Sequence, residues 1–156
     1  MPGHELVVVQ QIPASLDDVW YFFSNPHNLK FITPPYLDFQ FLDENLPTAI
    51  YAGQKIRYKV SPIFHIPIRW TTVITKVEMK KMFVDEQLEG PYQFWRHEHR
   101  FVEKGSLVEM RDRITYRMPM GLVGSFAHYL FVKGQLEKLF AYRERQVSIH
   151  FGMQAQ

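Results

Sequence analysis

Trp95-Arg96-His97-Glu98-His99-Arg100-Phe101 and, beyond Lys104-Gly105, Val108-Glu109-Met110-Arg111-Asp112-Arg113-Ile114-Thr115-Tyr116 form the stretch that decides the fold. Large residues alternate with charged ones through both halves, the period of two that a strand with one buried face requires. The glycine between the halves marks a hairpin. Taking Lys104-Gly105 as a two-residue turn places Trp95, His97, His99 and Phe101 opposite Ile114, Asp112, Met110 and Val108. The other face then pairs Glu98 with Arg111 and Arg100 with Glu109, opposite charges at closely spaced cross-strand positions. The large apolar face is expected to look inward and the charged face to look at water.

The inward face carries an anomaly. His97 is expected to face Asp112, with His99 two residues along beside Met110. A buried polar group without a partner costs about 1–3 kcal/mol, so these side chains must satisfy one another or meet something else. Four readings follow: a structural buried His–Asp pair, polar groups that orient a ligand in an apolar pocket, a metal site built from His97, His99 and Asp112, and acid–base catalysis by His97 poised by Asp112. No third strong ligand beyond Asp112 and no nucleophile accompany the two histidines, so no metal, cofactor or catalytic residue is assigned, with His97 and Asp112 as catalytic candidates. Asp85 and Gln87 belong to the preceding strand, but their face depends on how the Gly90-Pro91 turn is counted.

Outward from the hairpin, the chain punctuates cleanly. Leu6-Val7-Val8-Val9 reads as a strand. Ser15 stands at a helix N-cap with Asp18 in the capping-box position, ahead of Val19, Trp20, Phe22 and Phe23, which are expected in the core. Asn25-Pro26 opens a second short helix through Phe31, ended by Thr33-Pro34-Pro35. From Tyr36 to Met118 the texture is that of strands: 36–42, 54–60, 68–77, 83–88, 92–102 and 107–118, with a proline-bearing loop at 61–67. After Pro119 the period changes. Phe126, Tyr129, Leu130, Lys133, Leu136, Leu139, Phe140, Arg143 and Val147 recur at helical spacing, predicting a helix of roughly 25 residues. This order implies a helix laid on one face of a curved antiparallel sheet.

Composition limits the function. The chain has 156 residues, a length suited to one domain over 1–156, and a formal net charge of +2. So balanced a charge argues against nucleic acid as a partner, and Arg96, Arg100, Arg111, Arg113 and Arg117 read as a solvated sheet face. Aromatic residues reach 15%, enough for a dense core or a lined cavity. The absence of cysteine excludes disulfides, thiolate metal sites and a cysteine nucleophile. No membrane span or targeting signal is legible, so a cytoplasmic protein, monomeric or weakly homodimeric, is expected.

The string Gly90-Pro91-Tyr92-Gln93-Phe94-Trp95-Arg96-His97-Glu98-His99-Arg100-Phe101 resembles a bacterial branch of the START-like helix-grip superfamily, also called SRPBCC or polyketide cyclase/dehydrase-like. Ile12-Pro13-Ala14-Ser15, Asn25-Pro26, Arg69-Trp70, Phe83-x-Asp85-x-Gln87 and Asp112-x-Ile114-x-Tyr116 fit the same pattern, which spans nearly the whole chain. Some members of that branch carry the label of cell division inhibitor. The resemblance implies an α+β helix-grip fold: a sheet of six to seven strands around a long C-terminal helix, with two short helices after the first strand. It also implies a cavity between sheet and helix for a small hydrophobic molecule such as a lipid or polyketide, with cyclase- or dehydratase-like catalysis as the alternative. Trp70, Trp95, His97, His99, Phe101, Met110, Asp112, Ile114, Tyr116, Phe126 and Tyr129 are the residues expected around that ligand.

Overall fold

The computed structural model describes residues 3–62 and 64–152, without the side chains of residues 122, 125, 128 and 129. Strand β1 (His4–Ile12) leads into helix α1 (Leu16–Phe23), whose N-cap Ser15 accepts a hydrogen bond from the Asp18 backbone N–H at 3.1 Å. Asn25 caps only a 3-10 turn, Pro26–Leu29, where an α-helix was expected. A second 3-10 turn, Pro35–Leu37, follows, closed by Asp38 in the left-handed conformation. The two consecutive prolines supply no backbone donors and hold the chain in a turn. The strand expected over 36–42 therefore shrinks to β2 (Gln40–Phe41).

Strands β3 (Lys55–Val60), β4 (Ile68–Glu78), β5 (Met82–Glu89), β6 (Phe94–Lys104) and β7 (Leu107–Arg117) complete a seven-stranded antiparallel sheet. Its order is β1-β7-β6-β5-β4-β3-β2, so the meander from β2 to β7 is closed by the first strand returning beside the last. The C-terminal helical stretch comprises α2 (Gly121–Ala127), a π-helical segment (His128–Val132) and α3 (Lys133–His150). The sequence period marked this stretch as one helix; the wider π turn interrupts it. At Gly124 a Cβ would lie 1.7 Å from the carbonyl oxygen of Pro119, so only glycine fits where the helix start folds back.

The β6–β7 register corrects the expected hairpin. The turn residues are Gly105 and Ser106, and Lys104 faces Leu107. Gly105 has φ 62°, the left-handed conformation that a type II′ turn demands at its first central position, where glycine is favoured. Moving the turn by one residue moves every cross-strand partner by two. His99, not His97, faces Asp112; His97 faces Ile114, and Phe101 faces Met110. A shift of two keeps every side chain on its expected face. The expected pairs Glu98–Arg111 and Arg100–Glu109 dissolve: Glu98 faces Arg113, and Arg100 faces Arg111. Glu98 instead binds its own strand neighbours, Arg96 at 3.1 Å and Arg100 more closely.

Two apolar clusters occupy the inner face. At the hairpin end, Trp20 meets Phe83 and Phe101 edge-on at 6.0 and 5.5 Å, together with Val108, Met110 and Val147 of α3. At the other end, Trp70, Trp95, Ile114 and Tyr116 pack against Leu136 and Phe140 of α3. Gln10 of β1 ties the helix down, donating its amide to the Glu144 carbonyl at 3.0 Å and the Ser148 hydroxyl at 3.2 Å. No helix among the described residues is long and apolar enough to cross a membrane.

Candidate functional site

Between the two clusters, where neither fills the space under α3, lies a cavity of about 220 Å³. Its walls are largely aromatic and aliphatic: Tyr58, Trp70 and Trp95 from the sheet, Tyr92 from the β5–β6 connection, Leu136, Leu139 and Phe140 from the helix. Tyr58 and Trp70 stack at 6.1 Å, and Trp70 meets Trp95 edge-on at 5.3 Å. Pro62 and Gln135, joined by a 3.4 Å hydrogen bond, connect the 61–67 loop to the start of α3 along the same cavity.

Part of the cavity's sheet side is polar. His97 and His99 alternate onto the inner face of β6, Asp112 arrives from β7, and Asp85 arrives from β5 directly opposite His97. His99 donates from Nε2 to Asp85 at 2.7 Å and from Nδ1 to Asp112 Oδ1 at 3.0 Å. His97 donates its Nε2–H to the same Asp112 oxygen at 2.9 Å. The rings form a column: Phe83 stacks on His99 at 4.0 Å, His99 on His97 at 3.7 Å, and Phe140 caps His97 edge-on at 5.7 Å.

Protonation follows from these partners. Burial alone would push His99 down, but its bonds to Asp112 and Asp85 outweigh that and raise its pKa to about 9, making it an imidazolium at neutral pH. Burial and the adjacent His99 charge push His97 below the ordinary histidine value, so it stays neutral. Burial would raise Asp112, yet the hydrogen bonds from His97 and His99 hold it well below the usual carboxylate range; burial would raise Asp85 too, but its hydrogen bond from His99 lowers it, with Arg143 contributing. Burial also lowers Arg143, opposed by Asp112, Tyr58 and Asp85, but a guanidinium starts high enough to remain charged. Burial and the Asp85 charge keep Tyr58 a neutral phenol. Two carboxylates therefore face one imidazolium and one guanidinium. With its Nε2–H given to Asp112, His97 keeps Nδ1 as the one basic ring nitrogen of the cluster.

Of the residues expected around a ligand, Trp70, Trp95, His97, His99 and Asp112 line the cavity. Phe101 and Met110 instead belong to the core cluster under α1, and Ile114 and Tyr116 to the cluster beneath Leu136. Those four share the inward face, but apolar neighbours cover Phe101, Met110 and Ile114, while Tyr116 borders a separate pocket with His4, Lys133 and Glu137. Phe126 is 66% exposed and does not line the cavity; the π-helical segment lies between it and α3 and changes the helical phase. The Tyr129 side chain lies outside the described residues. Sequence reasoning left the face of Asp85 open and missed Tyr58 and Arg143. Arg143 had a legible signal: it falls in the apolar stripe of Leu136, Phe140 and Val147, where a cation needs a buried anion.

Similar architecture recurs in solved structures. The Zhui aromatase/cyclase from Streptomyces sp. R1128 superposes with a TM-score of 0.75 at 14% identity, over 97% of this chain and 94% of that one. The chain has the START-like helix-grip fold. A START superfamily protein from Mycobacterium smegmatis shares that fold at a TM-score of 0.68 and 14% identity, covering 94% of this chain and 98% of that one. Ginseng major latex-like protein 151 from Panax ginseng does so at 0.69 and 13%, covering 96% and 97%. No family model and no curated protein sequence matches the chain. Identities this low carry the helix-grip architecture between proteins but not a ligand or a reaction.

Proposed function

We propose that the protein binds a small apolar molecule in the cavity between sheet and α3, with a neutral hydroxyl or carbonyl of the ligand against the polar cluster. The observation that carries this reading is an aromatic-walled cavity of about 220 Å³ whose lining includes the hydrogen-bonded cluster of His97, His99, Asp85 and Asp112. A charged ligand group would have to be desolvated against a site that offers it no uncompensated opposite charge. The buried Trp70 indole N–H, in the cavity wall, has no partner among the described residues and would gain from a ligand oxygen. Ligands of this kind fit the general anatomy of apolar pockets with a few polar groups.

Extraction of the purified protein followed by mass spectrometry identifies any molecule that co-purifies. Quenching of Trp70 and Trp95 fluorescence by an uncharged aromatic probe measures binding directly. Replacing Leu139, half-buried in the cavity wall, by Trp should fill the space and abolish quenching while the circular dichroism stays unchanged. Equal probe binding by Leu139→Trp would sink the proposal. A second reading, cyclisation or dehydration with His97 as general base, is favoured by the neutral imidazole that Asp112 holds in one tautomer. It requires that Asp112→Asn lower turnover by orders of magnitude with ligand affinity retained.

A further inference from the structure

We propose that His97, His99 and Asp85 form a binding site for one divalent first-row transition ion, with Asp112 as the residue that positions both imidazoles. A ring nitrogen of each histidine and a carboxylate oxygen of Asp85 lie within 4.8 Å of one another. The sheet brings this about: two imidazoles alternate onto one face of β6, and the adjacent strand sets Asp85 directly opposite His97. The hairpin alone offered only Asp112 as a third ligand. The structure moves that residue behind the histidines and supplies a different carboxylate in front.

Asp112 has the role that a carboxylate commonly fills behind ligating histidines. Its Oδ1 accepts from His97 Nε2 at 2.9 Å and from His99 Nδ1 at 3.0 Å. A single oxygen thereby fixes both tautomers and leaves one nitrogen of each ring, His97 Nδ1 and His99 Nε2, to act as ligand; ligating histidines almost always donate their other N–H in this way. Asp85 Oδ2 and His99 Nε2 are 2.7 Å apart and must part by roughly 0.6–0.9 Å to reach the spacing of about 3.3–3.6 Å between tetrahedral ligand atoms with bonds of roughly 2.0–2.2 Å. The ion takes the place of the proton these two atoms share, and that proton leaves to solvent. His97 must turn out of its 3.7 Å stack on His99 to bring its free nitrogen to the ion. With the His99 proton gone, the two positive charges of the ion join the Arg143 guanidinium in facing Asp85 and Asp112.

Two imidazoles and one carboxylate suit zinc, ferrous iron, cobalt or nickel rather than calcium or magnesium. Three protein ligands leave positions open toward the cavity, which His97, His99 and Asp85 all line. The site stands on the side-chain cluster alone and does not depend on what the cavity holds.

The test uses the full chain, treated with chelator and titrated with Zn²⁺ by calorimetry and with Co²⁺ by visible absorption. One equivalent is expected, with a Co²⁺ spectrum of low symmetry. His99→Gln and Asp85→Asn should each weaken Zn²⁺ at least about 100-fold, and Asp112→Asn about 10–100-fold. His27→Gln and His150→Gln, at exposed positions, should change nothing. Circular dichroism identifies any variant that fails to fold, and Asp85→Asn then carries the test, since it removes no ring from the stacked column. Zn²⁺ binding unaffected by Asp85→Asn and His99→Gln, or no binding beyond that of the two exposed histidines, overturns the proposal.

Discussion

The two faces of the β6–β7 hairpin hold similar numbers of ionisable groups and treat them oppositely. On the outer face, Arg96, Arg100, Arg111 and Arg113 surround Glu98 and Glu109, with arginine side chains about one third to over one half exposed. On the inner face, His97, His99 and Asp112 are each less than 10% exposed and each satisfied by another member of the cluster. Water reaches the arginine ends of the outer pairs, although Glu98 itself is only 9% exposed. Long side chains also lose entropy in making these pairs, so a slipped register costs less there. Nothing screens the inner cluster, so loss of one member leaves another buried without a partner. One sheet thus carries a tolerant charge pattern and an intolerant one, a single residue thickness apart.

The sharpest break in that contrast is Asp112→Ala. It strands two imidazoles at once and should cost about 3–5 kcal/mol in urea unfolding. Phe101→Ala, on the same inner face but in the apolar cluster with Trp20 and Phe83, should cost a similar 3–5 kcal/mol through the cavity it opens. The two losses separate by rescue: Asp112→Asn keeps an acceptor and should recover part of the stability, while Phe101→Asn should recover none. An Asp112→Ala protein as stable as the parent would show that the inner cluster carries no stability.

On the outer face the expected effects fall below 1 kcal/mol. Glu98→Gln should lower stability slightly, and a double-mutant cycle should find coupling between Glu98 and Arg100 but none between Glu98 and Arg111. The reverse pattern would restore the Lys104-Gly105 turn and refute the observed register. Smallest of all is the effect of Glu109, at the hairpin end. Its hydrogen bond from Lys104, then that from Gln11, holds its pKa below the ordinary value. A carboxyl with a lowered folded pKa stabilises above its unfolded pKa and stops doing so as pH falls through the folded value. The slight deficit of Glu109→Gln should therefore be visible near neutrality and vanish on acidification, as the Glu109 carboxyl protonates. A deficit that grew on acidification would contradict this assignment.

How much of the site could be read in advance varies by residue. His97, His99 and Asp112 were legible because alternation alone decides which face a strand residue takes. Asp85 was not. It reaches the cluster through the β5–β6 connection, which is no tight turn: the Gln87 side chain closes it, donating to the Tyr92 carbonyl at 2.8 Å and accepting from the Tyr92 N–H at 3.1 Å. Such a side-chain bridge has no fixed residue count, so the face of Asp85 could not be derived from Gly90-Pro91. Arg143 was placed correctly on the inner stripe of α3, but its partners on β3, β5 and β7 emerge only when helix and sheet are packed.

By itself, the sequence determined the helix-grip order of elements, the inward face of the hairpin and the presence of an unusual polar group on it. These properties are local and periodic, and a period of two survives a register shift of two. The tertiary structure alone decided which carboxylate meets which imidazole, where the apolar face is solid and where it opens into a cavity, and that Phe126 is exposed. Those outcomes depend on one positive backbone angle at Gly105, one π-helical turn before α3 and one side-chain-closed loop at Gln87. Each displaces distant side chains by a residue or two, and side-chain chemistry at hydrogen-bond range is sensitive to displacements of that size.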